Sequence, residues 1–228
     1  MREIVLDTET TGLDPGSGHR IVEVGCVELL DHMPTGRTYQ KYINPERDVP
    51  LESYNIHGLS EAFLADHPVF AEIVESFLEF IGDAPLVIHN AAFDIKFLNA
   101  EIERLGFKPL PMSRTIDTLK IARSRYPGAS ASLDELCRRF GIDNTARTSH
   151  GALLDSELLA AVYIDLIGAR EPGLDLAAQS SSQTEAPVAA NDRPVRPARP
   201  HAPSDAELAA HDAFLEKLKD PIWKRQGD

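Results

Sequence analysis

The amino-acid sequence predicts an α/β fold: a mixed five-stranded sheet flanked by helices, with a flexible C-terminal tail. Three observations carry this expectation. β-Branched and aromatic residues fill three early segments joined by short turns, helical periodicity then alternates with short apolar runs, and globular patterning stops near residue 169. The 228 residues, 43% of them hydrophobic, suffice for one substantial core with a remainder.

The segments "EIVLD" at 3–7, "RIVEVGCVELL" at 20–30 and "RTYQKYI" at 37–43 read as the strands of a meander, with "DPGSG" and "DHMPTG" as turns. The period then changes. "PVFAEIVESFLEFIG" aligns Phe70, Ile73, Val74, Phe77, Leu78 and Ile81 on one helical face and stops at Gly82. "PLVIHN" reads as a short buried strand, and "AAFDIKFLNAEIERLG" as a helix ending at Gly106. "RTIDTLKIARSRY" continues the strand-to-helix alternation. "SASLDELCRRFGI" opens with Ser132 and Glu135 in capping-box spacing and closes at Gly141. "HGALLDSELLAAVYIDLIG" is helical by composition and by the spacing of its Leu and Ile residues. These elements form one domain over residues 1–168.

Residues 169–204 read as a flexible linker: Arg170 to Ser204 contains no aromatic residue, repeats Ser, Gln and Ala, and spaces Pro closely in "RPVRPARPHAP". Residues 205–228 follow a second capping-box pair, Ser204 and Glu207. They set Leu208, Leu215, Leu218 and Ile222 on roughly one side, with Phe214 and Trp223 beside them. A tethered amphipathic segment with a large aromatic near its end reads as a docking peptide. The competing reading folds it back on its own domain.

The formal net charge is −13 and argues against a broad electrostatic grip on nucleic acid. The acidity belongs to the predicted domain, where residues 1–168 hold 15 Lys or Arg against 26 Asp or Glu. A polyanion handled there needs metal ions or a partner protein to supply the attraction. Cys26 and Cys137 lie in apolar, regular segments and read as reduced core residues, and two cysteines cannot build a zinc cluster. No apolar run reaches the roughly 18 residues of a membrane span, so the expectation is a cytoplasmic protein without membrane partners.

At the end of the first strand, Asp7 and Glu9 share a side, about 7 Å apart in Cα position, near enough to share a cation. Taken alone, they equally suit a strand end and a turn. Asp94 sits just inside one helix, where the helix dipole favours an acid, and Asp155 lies on a late helix, where an exposed acid is ordinary. Four acids gathered near one sheet would repel strongly without divalent ions between them, so together they suggest a hard-metal site. An all-oxygen set suits Mg²⁺.

The motifs "DTETTG", "HNAAFD" and "HGALLD" resemble the three motifs of the DEDD exonuclease family, in the branch with a histidine in the third motif. Their order and the overall length are similar to the epsilon proofreading subunits of bacterial DNA polymerase III. The resemblance covers about residues 1–168. It implies a ribonuclease H-like fold, two divalent cations (Mg²⁺ or Mn²⁺), and removal of nucleotides from single-stranded or mismatched DNA 3' ends. It makes Asp7, Glu9, Asp94 and Asp155 the metal ligands and His150 the general base. His150 precedes Asp155 by five residues, so the resemblance implies that it lies in the loop or first turn before the helix.

The same resemblance places Thr8, Thr10, Thr11, Gly12 and Leu13 against the terminal sugar and base, although Gly12 equally suits a plain turn. His57 and Gly58 in "NIHGLS" are similar to a family segment lining the path of the terminal nucleotide. His89 and Asn90 read as shaping the entry to the second motif, with a purely structural polar cap as the alternative. One of Phe93 and Phe97 stacks on a base, with core packing the default for helical spacing.

The C-terminal segment resembles the region of epsilon subunits that holds the polymerase catalytic alpha subunit. Gln179 in "AAQSSSQ" stands where some family members carry a sliding-clamp peptide, without the hydrophobic pair that completes it. The leading expectation is a proofreading 3'-5' exodeoxyribonuclease with a monomeric nuclease domain. Its competitors are 3' trimming of RNA or short oligonucleotides and a nonhydrolytic docking protein. The tail and the complete acid set weigh against these two respectively.

Overall fold

The computed structural model describes residues 1–145, 147, 149–169 and 202–217, in two units, a body through residue 169 and a segment at 202–217. The body is built on β1 (Arg2–Thr10), β2 (Ile21–Leu30), β3 (Met33–Tyr42), β4 (Leu86–Ile88) and β5 (Thr115–Asp117). They lie in the order β3-β2-β1-β4-β5, antiparallel from β3 to β1 and parallel from β1 to β5. Its helices are α1 (Leu51–His57), α2 (Glu61–Leu64), α3 (Phe70–Ile81), α4 (Ala91–Arg104), α5 (Thr118–Arg125), α6 (Leu133–Phe140) and α7 (Ala152–Leu166). The mixed five-stranded sheet flanked by helices is therefore present as expected.

The two-residue period of β1 divides its side chains between two cores. Ile4 and Leu6 pack with Phe70 and Phe77 of α3 and Phe97 and Leu98 of α4. Val5 faces the other way and packs with Val27, Val87 and, on α7, Leu159 and Tyr163. A third cluster joins α5, α6 and α7 through Ala122, Leu136, Cys137 and Val162. Both cysteines are buried and free.

Several local expectations need correction. β1 does not end at Asp7 but continues to Thr10, because Thr8 and Glu9 still pair with Val24 and Glu23 of β2. β3 starts at Met33, and the six-residue turn shrinks to Asp31 and His32, both with positive φ. Two such residues suit the twist of a tight hairpin. Helices α1 and α2 were not anticipated: they are short, and α1 exposes Leu51, Tyr54 and Ile56, so no apolar stripe marks it. By contrast α6 starts as expected, with the Ser132 hydroxyl accepting from the Glu135 N–H, and ends at Gly141 in the left-handed conformation.

In the second unit, α8 (Asp205–Leu215) carries a complete capping box between Ser204 and Glu207. It exposes Leu208 and Phe214 and buries Leu215. Leu218, Ile222, Trp223 and Gln179 lie outside the described residues, as does most of the Pro-rich stretch. No described helix is long and apolar enough to cross a membrane.

Candidate active site

The site forms where parallel strands end, a place from which following helices point their first turns at a ligand. β4 stops at Ile88 while β1 runs on to Thr10. Asn90 then takes a left-handed conformation that starts α4 beside the second half of β1. Asp94, in the first turn of α4, is buried, and one of its oxygens accepts from the Thr8 hydroxyl at 2.7 Å. Thr8 therefore orients an acid.

The other face of the sheet receives α7, and β2 fixes its position. The Glu23 carboxylate accepts from the Ala152 N–H at 3.1 Å, capping a helix whose own N-cap residue, Gly151, has no side chain to do so. Ser156 donates to the Gly25 carbonyl at 3.0 Å. A Cβ on Gly25 would stand 2.2 Å from the backbone of Ala152 and Leu153, so only glycine lets α7 approach this closely. The result holds Asp155, in the first turn, against Glu9. His150 lies in the loop before α7, and its N–H donates to the Ile56 carbonyl of α1 at 3.1 Å.

One ligand atom from each of Glu9, His150 and Asp155 lies within 4.8 Å of the others, a spacing that one cation can span. The acids repel. Burial, then Asp94, Glu9, Asp155 and Glu23, hold the Asp7 carboxyl well above its usual range. Burial, Asp155, Glu23 and Asp94 push Glu9 up to about 8, against the pull of Arg147. Burial pushes Asp94 up to about 7, with the Thr8 hydrogen bond opposing it. Carboxylate oxygens strained in this way fit hard divalent cations, which neutralise them at no cost in packing.

Arg147 was not anticipated, and it supplies the local positive charge. Its guanidinium donates to both oxygens of Asp155 at 2.6 and 2.7 Å, to both oxygens of Asp134 at 2.8 and 2.9 Å, and to His150 Nδ1 at 2.8 Å. In "TARTSH" nothing separates it from an ordinary loop arginine. Glu23 had a faint signal, since an acid inside an apolar strand is costly unless partnered.

The acids line a cleft of two lobes that share Thr8, Glu9 and Phe93. The larger lobe, about 660 Å³, holds Asp7, Asp94, His150, Asp155 and Asn90 and continues past His89 to Arg123 and Ser130. The smaller, about 190 Å³, is walled by Thr10, Gly12, Leu13, Ile56 and His57. His57 is 4% exposed. Its Nδ1 accepts from the Leu59 N–H while Nε2 has no hydrogen-bond partner. Burial and then His150 hold it below its usual range.

Three expected contact residues stand elsewhere. Phe97 is fully buried in the α4 core, so Phe93 is the aromatic at the cleft. Thr11 is also fully buried: its N–H donates to the Arg20 carbonyl and its hydroxyl engages Arg20 N–H and His19. It shapes the turn from within. Gly58 lines neither lobe and ends α1 in the left-handed conformation.

Comparison with known proteins identifies the family and the fold. The exonuclease family model (RNase_T) matches residues 4–163. The DNA polymerase III subunit epsilon of Rickettsia conorii is 48% identical over 222 residues, covering 96% of each chain. That of Escherichia coli K12 is 42% identical over 229 residues, covering 96% of this chain and 93% of its own. Among solved structures, the nuclease domain of 3'hExo, a DEDDh family member bound to rAMP, has a TM-score of 0.64 at 20% identity. It covers 74% of this chain and 92% of that one, and shows the same ribonuclease H-like fold. The chain belongs to the exonuclease family, alongside the epsilon subunits of DNA polymerase III.

Proposed function

We propose that the chain is the proofreading 3'-5' exodeoxyribonuclease of a replicative DNA polymerase III, releasing nucleoside 5'-monophosphates from single-stranded or mismatched 3' ends. The observation that carries this reading is the convergence of Asp7, Glu9, Asp94, Asp155 and His150 in one lobe of a cleft whose second lobe shares Glu9. A strand passing from one lobe to the other presents a phosphodiester to the acids.

Asp7, Glu9, Asp94 and Asp155 would hold two divalent cations, Mg²⁺ or Mn²⁺. When bound, such cations polarise the scissile phosphate, acidify a water and stabilise the leaving oxygen. Thr8 fixes the Asp94 carboxylate that would hold one of them. Glu23 and Gly25 keep the first turn of α7, and with it Asp155, against β1 and β2. His150, half-exposed on its loop, accepts the proton of the attacking water. Leu13, Ile56, His57 and Phe93 surround the base and sugar of the terminal nucleotide without reading sequence. Preference for a mismatch follows from fraying, since an unpaired end costs less to bring into a single-strand site.

Residues 1–168 form the exonuclease domain on this reading. Residues 205–228 dock on the catalytic alpha subunit, residues 169–204 connect the two, and the protein works in the cytoplasm. The names of its relatives support the polymerase association. A digestion assay tests the whole reading, comparing a matched primer, a 3'-mismatched primer and an RNA oligomer in Mg²⁺. Expected is fastest release from the mismatched DNA end, and faster degradation of RNA than of DNA would overturn it.

A further inference from the structure

The smaller lobe, about 190 Å³, can take the base of a terminal nucleotide, and it shares Glu9 and Phe93 with the larger lobe. If the terminal nucleotide occupies the smaller lobe and its phosphodiester lies over the acids, the rest of the strand must leave through the larger lobe. We infer that this larger lobe seats the strand upstream of the scissile bond, and that Arg123 of α5 grips one of its phosphodiesters. This rests on the exonuclease reading above and adds a substrate-binding residue to it.

The charge distribution points to Arg123. Other arginines nearby are already used: Arg125 donates to the Asp165 and Leu166 carbonyls at the end of α7, Arg138 pairs with Glu135, and Arg139 lies over the Tyr126 ring. Arg123 is exposed, lines the cleft, and makes no ion pair among the described residues. The acids around it are engaged. Asp134 is held by Arg147 and Asn144, and Asp117 caps α5 through the Leu119 and Lys120 N–H groups. Lys120 also lies near Asp117, at 3.8 Å.

A free guanidinium in a domain with a large excess of acids is suited to a phosphate, which it binds through paired N–H donors. Ser130 and Ser132 line the same lobe, with the Ser132 hydroxyl held as the cap of α6. A guanidinium on a phosphodiester reads backbone and not sequence, as removal of any mismatched end requires. Arg123 lines the larger lobe and not the smaller one, so a single nucleotide in the smaller lobe does not need it.

The test compares the full chain with R123Q, R123A and R123K on three Mn²⁺-supported substrates. These are the p-nitrophenyl ester of thymidine 5'-monophosphate and oligothymidylates of two and four nucleotides. For R123Q and R123A, KM for the four-nucleotide strand should rise about five- to tenfold with kcat nearly constant, far more than for the ester, with partial recovery in R123K. Fluorescence anisotropy of the labelled four-nucleotide strand in Ca²⁺ supplies a second readout. The slope of log affinity against log salt should become shallower by about 0.7 in R123Q, the value for one lost single-strand phosphate contact. Equal losses on all three substrates, or an unchanged salt slope, would overturn the assignment. A wild-type protein that cleaves the ester but gains nothing from added nucleotides would overturn this subsite and leave the exonuclease reading standing. Failure on every substrate would remove the reading on which it rests.

Discussion

The two faces of β1 perform different tasks with residues that alternate along one strand. On the face toward α3 and α4, Ile4 and Leu6 are fully buried among aromatic and aliphatic side chains. On the face toward α7, Glu3, Asp7 and Glu9 share a line with Val5. Glu3 is satisfied by the Tyr163 hydroxyl at 2.7 Å and by His32, whereas Asp7 and Glu9 face other acids. The difference shows how the fold tolerates a charged site: the apolar core around Ile4 and Leu6 supplies the stability that holds Asp7 and Glu9 rigidly among like groups.

The sharpest way to break this division is to change neighbours on opposite faces. Replacing Asp7 and Glu9 together by Ala should lower hydrolysis at least about 1000-fold while leaving the metal-free melting temperature unchanged or higher. Leu6→Ala should do the reverse, costing about 2–5 kcal/mol in denaturant unfolding while the remaining folded protein keeps most of its kcat. Comparable activity losses in both variants would mean that the faces are not separable.

A smaller effect is expected from Gly25→Ala, which acts on the acid face through packing alone. Its Cβ meets the α7 backbone, which cannot swing aside as a side chain would. The cost should be about 1–3 kcal/mol of stability, read by denaturant titration. Displacement of Asp155 should add a fall of about 100-fold in kcat. Normal kcat in this variant would show that α7 can shift without consequence for the site.

The smallest effect separates the faces by pH. Glu9 at about 8 and Asp94 at about 7 hold protons in the folded state that the unfolded chain releases at its ordinary carboxylate values. Their contribution to stability is therefore full below the ordinary carboxylate range and is lost as pH rises through about 7 to 8. Melting temperature in EDTA should fall by several degrees between pH 5 and pH 9, by calorimetry, and Mg²⁺ or Mn²⁺ should flatten the profile by holding the acids ionised (about two to four pH units of the scan are involved). A flat profile in EDTA would contradict the mutual repulsion of the acids.

What the sequence determined by itself was whatever depends on short range. Alternation in "EIVLD" placed Asp7 and Glu9 on one side, the apolar period of "PVFAEIVESFLEFIG" defined α3, and Ser132 and Gly141 set the ends of α6. The three acid motifs were legible together, through their resemblance to the DEDD exonuclease motifs, whereas Asp94 and Asp155 taken singly read as ordinary helix acids. Tertiary structure decided whatever depends on residues far apart in the chain. Phe93 and Phe97 share one helical face, with ring centroids 5.0 Å apart, yet Phe93, one turn nearer the start of α4, lines the cleft while Phe97 fills the core, because the cleft opens at that end of the helix. Glu23 caps a helix that begins more than a hundred residues later, and Gly25 is required only because that helix lands on it. Arg147 has meaning only beside Asp134, His150 and Asp155. Periodicity records which face of an element is buried, but partners across the fold are set by packing geometry, which leaves no local trace.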